Sequence, residues 1–302
     1  TCLRTDGAYR GKRAFSLGQP VLPATPARRR PPVVPVVYSP ARMIYAVSGG
    51  LVFLVWVAIV VLNERANLLS CDRFPNAFAK WFAYLWLGLF MVGLALMVTN
   101  AALTPATPKQ LQGTPFYGLF LLHAVLVIFL IGWWAASGRP PLKEFLNIRH
   151  ERPAEVVAIG TAVGVGGWMI TLTAALIATL ILRGVGAMDA PPEPPAMIGW
   201  MANLALWKKA LIVLSAMTVE EAFFRSFLQK RVGLVASTIL FALAHFTYGN
   251  PLLLIGVTVV SLVIGITFYR TKNVLPGVIA HGVFDAIQLF VIVPLAVRMM
   301  GM

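Results

Sequence analysis

From residue 43 onward, apolar residues run for about twenty positions at a time, and polar residues are gathered into short intervals between the runs. Eight such segments follow one another, at about 43–62, 78–99, 117–137, 155–183, 208–231, 233–249, 252–270 and 274–297. Each is near the ~20 residues that a helix needs to cross a bilayer. The pattern predicts an all-α fold, a polytopic membrane helix bundle of about eight transmembrane helices. The fourth segment is long and carries Gly160, Gly164, Gly166 and Gly167, which predicts tilt or close packing against a neighbour. The fifth opens on Trp207, Lys208 and Lys209, an interfacial anchor. Three regions result: a Pro/Arg-rich tail over 1–42, helices one to four over 43–200, and helices five to eight over 205–297.

Composition agrees with this reading and removes one rival. Hydrophobic residues make up 59%, charged residues 12%, and mean hydropathy is +0.80, values that belong to an integral membrane protein. A net charge of +14 would suggest nucleic acid were it not for where the charge lies. Residues 1–42 hold eight Lys/Arg against Asp6 alone, and most of the remainder sits in short loops, where it sets orientation. The bilayer is the expected partner and nucleic acid is not. Cys2 and Cys71 have no metal-type spacing, so a disulfide scaffold and a cysteine-ligated metal are set aside.

Basic residues favour the loops after segments one, three, five and seven, among them Arg73, Arg139, Lys143, Arg149, Arg270 and Lys272. That bias puts the odd loops in the cytosol and both termini outside. The basic tail contradicts it, and a protein starting at Met43 would not. Two readings of residues 1–42 therefore stand: a segment outside the functional protein, and a disordered cytosolic tail.

Against this apolar background, Glu220, Glu221, Arg225, His245, His281 and Asp285 stand inside membrane-length segments. Ionisable groups at bilayer depth cost several kcal/mol and mark chemistry or a transport path. At ~1.5 Å rise per residue, Glu220, His245 and Asp285 each lie roughly 16–18 Å along their segments, and His281 about 10 Å. Three helices thus bring polar groups to a similar level. Glu221 and Arg225 are four apart with the acid N-terminal, the favourable order for an ion pair. Glu220, about 100° around the helix, is left to face another partner. His281 and Asp285 also share a face, as do Phe241 and His245. A buried carboxylate beside a histidine suits general-base activation of water, and the remaining donors suit an oxyanion. Hydrolysis of an acyl bond follows, a peptide bond at or within the membrane above all. His123, with nothing acidic near it in sequence, reads as an interhelical hydrogen bonder.

Three motifs in order carry a resemblance: Glu220-Glu221-Ala222-Phe223-Phe224-Arg225, then Phe241-Ala242-Leu243-Ala244-His245, then His281-Gly282-Val283-Phe284-Asp285. They resemble the E-E-x-x-x-R, F-x-x-x-H and H-x-x-x-N/D motifs of the CAAX protease and bacteriocin-processing (CPBP) family, also called the Abi family, over about residues 205–295. The resemblance implies a glutamate-type intramembrane endopeptidase acting on a membrane-associated protein or peptide. It implies Glu220 as general base with His245 holding the attacking water, His281 and Asp285 at the oxyanion hole, and Glu221 and Arg225 in support. No cofactor is required in that scheme. Asp285 departs from the Asn of the eukaryotic-type members: either its apolar setting keeps it protonated and able to donate, or, as an ionised carboxylate, it orients His281, the favoured role.

Three alternatives stay open. Glu220, His245 and His281 would be the ligands of a zinc-dependent version, although no H-E-x-x-H motif is present. The cluster also suits a proton-coupled transporter, and a non-catalytic membrane scaffold or immunity protein. The expected location is a bacterial plasma membrane, crossed many times.

Overall fold

A computed structural model describes residues 40–66, 72–104, 115–149, 152–189, 196–246 and 250–299, with positions 107, 110 and 113. The expected tail lies outside the described residues except for its last three positions. Residues 39–302 form one compact unit, and the described residues contain helices and no strand.

The helices are α1 (Pro40–Ala66), α2 (Ala77–Leu103), α3 (Leu121–Ala136, entered through a 3-10 turn at Phe116–Phe120), α4 (Leu142–Phe145) and α5 (Pro153–Gly184). There follow α6 (Ala196–Ala202), α7 (Leu206–Glu221), α8 (Lys230–Ala244), α9 (Pro251–Thr271), α10 (Val274–Ala286) and α11 (Val293–Met299). Wide π-helical turns join α7 to α8 at Ala222–Gln229 and α10 to α11 at Ile287–Ile292. Such turns recur at functional sites because they redirect side chains within a continuous helix.

Each of the eight apolar segments coincides with helix among its described residues, and seven helices among the described residues are long and apolar enough to cross a membrane. The two numbers differ because segments five and six run on as Leu206–Ala244. Their junction is Gly233, at φ +80° and ψ 176°, a conformation that glycine alone adopts readily. Residues 234–244 then supply only about 16 Å of helix, against ~30 Å of hydrocarbon. His245 is the residue that ends this helix, at φ −100° and ψ 5°. The depth count places it inside a full span, and the structure corrects that to a helix end.

Two packing arrangements set the framework. Helix α5 runs along α9 and α10, and its glycines make close approach possible. A Cβ on Gly160 would stand 2.6 Å from the Ile279 Cβ, and one on Gly164 would stand 2.8 Å from the Ala280 carbonyl oxygen. Small residues at such crossings let backbones touch where lipid gives no hydrophobic drive to association. On the other side, α2, α3 and the first π-turn share an aromatic core. Phe129 and Trp133 meet Phe227 edge-on, with ring centroids 5.0 and 5.1 Å apart. Such pairs contribute about 0.5–1.5 kcal/mol each beyond the area they bury. They hold the turn that carries Arg225.

Candidate active site

The two adjacent glutamates end α7, and one helical step turns them into different surroundings. Glu221 is wholly buried. Its Oε2 accepts from Arg225 Nε at 3.1 Å and its Oε1 accepts from His281 Nδ1 at 2.9 Å. Arg225, also wholly buried, donates through Nη2 to Ser261 Oγ at 3.2 Å, and its guanidinium lies 5.4 Å from the centre of the Phe241 ring. Gly277, one turn before His281, clears the way for α10. A Cβ there would lie 3.1 Å from Glu221 Oε2 and 3.2 Å from Ile264. The result is a buried carboxylate held between a guanidinium and an imidazole, tying α7, α9 and α10 together.

Glu220 faces a cavity of about 470 Å³. His123, His245, His281 and Asp285 line the same cavity, whose walls are otherwise mostly apolar. Glu220 Oε1 lies 3.1 Å from His123 Nε2, and Ser215 Oγ lies 2.7 Å from His123 Nδ1. Glu220 Oε2 is buried and has no hydrogen-bond partner among the described residues.

The other two histidines are fixed in different ways. His245 Nδ1 lies 2.9 Å from the Phe241 carbonyl oxygen. A carbonyl only accepts, so that nitrogen carries the proton and Nε2 holds the lone pair in the neutral ring. The ring also stacks on Phe241, with centroids 4.7 Å apart. His281 Nε2 lies 3.4 Å from Asp285 Oδ2, one helical turn on. Asp285 is the more exposed of that pair, with 29% of its side chain accessible against 9% for His281.

The structure therefore brings together Glu220, His245, His281 and Asp285 around one cavity and places Glu221 and Arg225 behind them. It assigns His281 to Glu221 rather than to Glu220. His123 does hydrogen-bond between helices, as expected, and its partner is Glu220 itself. Ser215, five positions before Glu220, joins the same chain. As for zinc, among the described residues no three His, Cys, Asp or Glu side chains are grouped to hold a metal ion. Both His281 nitrogens are directed at carboxylates.

One comparison with known proteins falls on the same stretch. Residues 202–287 match the family model described as type II CAAX prenyl endopeptidase Rce1-like. An uncharacterized protein, YpbD, of Bacillus subtilis (strain 168) is 38% identical over 69 residues, which cover 22% of this chain and 36% of the relative. The chain thus spans about a third of the length of that curated relative. No solved structure matches. The matched stretch holds all three motifs and every residue just described except His123, and over that stretch the chain is similar to the Rce1-like type II CAAX prenyl endopeptidases.

Proposed function

We propose that this protein hydrolyses a peptide bond of a membrane-associated protein or peptide, with Glu220 as the base that activates water. One observation carries the reading: Glu220, whose buried Oε2 has no partner among the described residues, lines a cavity shared with His245, His281 and Asp285. Within a low-dielectric site, groups set in place before the reaction act on developing charge without reorganising.

The chemistry then runs from residue to residue. Water lies between Glu220 Oε2 and His245 Nε2, which accept from it. Glu220 takes one proton as the water oxygen bonds to the scissile carbonyl carbon. The carbonyl oxygen becomes an oxyanion and shares the His281 Nε2–H, whose 3.4 Å contact with Asp285 is long enough to leave room for a second acceptor. Collapse breaks the C–N bond, and Glu220 returns the proton to the departing amine. Asp285 orients His281 through Nε2, while Glu221 holds the opposite nitrogen. No metal takes part, which is supported by the engagement of both His281 nitrogens. A prenylated C-terminal peptide is the first substrate to try, since that is the family's description, and the expected setting is a bacterial plasma membrane.

The test compares wild type with Glu220→Gln, both purified in detergent, on a farnesylated fluorogenic C-terminal peptide. Loss of cleavage in a variant that unfolds at the wild-type temperature supports the proposal. Unchanged cleavage in Glu220→Gln rejects it, and unchanged growth or transport phenotypes in that variant favour a scaffold role.

A further inference from the structure

The mechanism above leaves one buried chain of polar groups without a role: Ser215, His123 and the second oxygen of Glu220. Ser215 and Glu220 both stand on α7, and His123 reaches them from α3. Its ring bridges the two, with Nδ1 2.7 Å from Ser215 Oγ and Nε2 3.1 Å from Glu220 Oε1. His123 and Glu220 are nearly buried, with 14% and 12% of their side chains accessible.

A glutamate carboxylate, at the end of three rotatable bonds, has no fixed aim of its own. An ionised carboxylate only accepts, so His123 Nε2 is the donor in its bond to Glu220. In the neutral ring the other nitrogen then accepts, and Ser215 Oγ–H is the donor that faces it. The tautomer is set by the serine, as the partner of one ring nitrogen sets the state of the other. The consequence falls on Glu220. With Oε1 occupied, Oε2 is the oxygen left to the cavity, and it is the one with no partner among the described residues.

We propose that His123, held in one tautomer by Ser215, is a positioning residue that fixes the rotamer of Glu220 and presents Oε2 to the attacking water. The inference rests on Glu220 being the base, yet the hydrogen-bond chain is observable without any substrate. A misplacement of about 1 Å at a reacting group can cost ~10²-fold in rate. That is the loss expected in kcat when His123 is removed, with KM little changed, because His123 does not hold the substrate.

The experiment has a spectroscopic arm and a kinetic arm. The full chain, labelled with 15N-histidine in detergent, is examined by NMR, and its resonances are assigned with His123→Gln, His245→Gln and His281→Gln. The expected result is a neutral His123 protonated at Nε2, whose Nδ1 resonance moves in Ser215→Ala and whose Nε2–H moves in Glu220→Gln. A His123 protonated at Nδ1, or resonances indifferent to both substitutions, overturns the proposal. In the kinetic arm, on the same farnesylated peptide, His123→Ala is expected to lose about 10²-fold in kcat. His123→Gln, whose amide can still donate to Oε1, is expected to recover most of it. Equal loss in both variants, in step with a lowered unfolding temperature, marks a merely structural role and overturns the proposal. If the wild-type chain cleaves nothing, the peptidase reading fails and the NMR arm alone decides whether His123 sets Glu220.

Discussion

His281 donates from Nδ1 to Glu221 Oε1 at 2.9 Å, across 60 positions of sequence. The pairing divides two chemically identical neighbours into separate duties. Glu221, enclosed by Arg225 and His281, has no oxygen left for substrate, whereas Glu220 lines the cavity and keeps one oxygen without a partner among the described residues. Burial is the physical reason. A charge in this environment is tolerable only where it is paired, and the helix turns each successive side chain by about 100° into a different neighbourhood.

Glu221 and Glu220 should therefore fail in different ways. Removing the charge that faces a buried arginine typically costs about 3–5 kcal/mol, so Glu221→Gln is expected to unfold at a clearly lower temperature. Glu220→Gln should unfold with wild type while losing cleavage. Thermal unfolding in detergent, measured beside peptide cleavage, checks both. A Glu221→Gln protein as stable as wild type contradicts the brace.

The Asp285 position gives a second test. Its carboxylate lies 3.4 Å from His281 Nε2 and is accessible to the cavity. Asp285→Asn keeps an acceptor of the same shape for His281 and adds a donor for an oxyanion, so activity within about tenfold of wild type is expected. Asp285→Ala leaves His281 Nε2 without the group that orients it, and loss on the scale of a disturbed oxyanion-hole donor, ~10²-fold, should follow. Steady-state cleavage rates decide it, and an alanine variant as active as the asparagine one rules out any role for this side chain.

Close approach of α10 should be sensitive to a single methyl group. At Gly277 an added Cβ would stand 3.1 Å from Glu221 Oε2, and at Gly164 one would stand 2.8 Å from a backbone oxygen of α10. Overpacking of this kind costs about 1–3 kcal/mol. Gly164→Ala is the more costly, because backbone cannot move aside as a side-chain terminus can. Gly166, with nothing within 4 Å of its Cβ position, serves as the control: Gly166→Ala should leave the unfolding temperature unchanged.

Gly233 is a test of backbone rather than packing. Nothing lies within 4 Å of a Cβ built there, so any penalty of Gly233→Ala comes from its φ of +80°. Strain of about 1–3 kcal/mol is expected, with cleavage reduced as His245 is shifted at the far end of the short helix. An unfolding temperature equal to wild type would mean the junction tolerates an ordinary residue.

Metal dependence is settled by treatment of the purified protein. Activity is expected to survive chelation, and zinc analysis should find far less than one ion per chain. Activity lost on chelation and restored by zinc would replace the glutamate mechanism with a metal-dependent one.

Much of the site was legible before any coordinates, for a definite reason. An apolar chain makes each ionisable residue conspicuous, and i,i+4 spacing within one helix fixes a pair regardless of tertiary structure. Glu221–Arg225 and His281–Asp285 are of that kind, and both pairs form contacts in the fold. His123 was under-read because its partner is 97 positions away. The depth count that grouped the other residues places it roughly 20 Å from the far end of its segment, near the level of Glu220. That signal lies in the sequence of segment three as it does in segments five, six and eight.

Other features had no signal within a single segment. The choice of Glu221 by His281, the bridge from Ser215 to Glu220, and the ending of a helix at His245 all depend on how helices meet. Sequence alone determined the membrane setting, the helical class and the residues able to do chemistry, since the bilayer allows few ways to satisfy a backbone and leaves few polar side chains unexplained. Tertiary structure alone decided which of the two glutamates faces the cavity, because that follows from α3 and α10 packing around α7 and from the glycines that let α10 approach it.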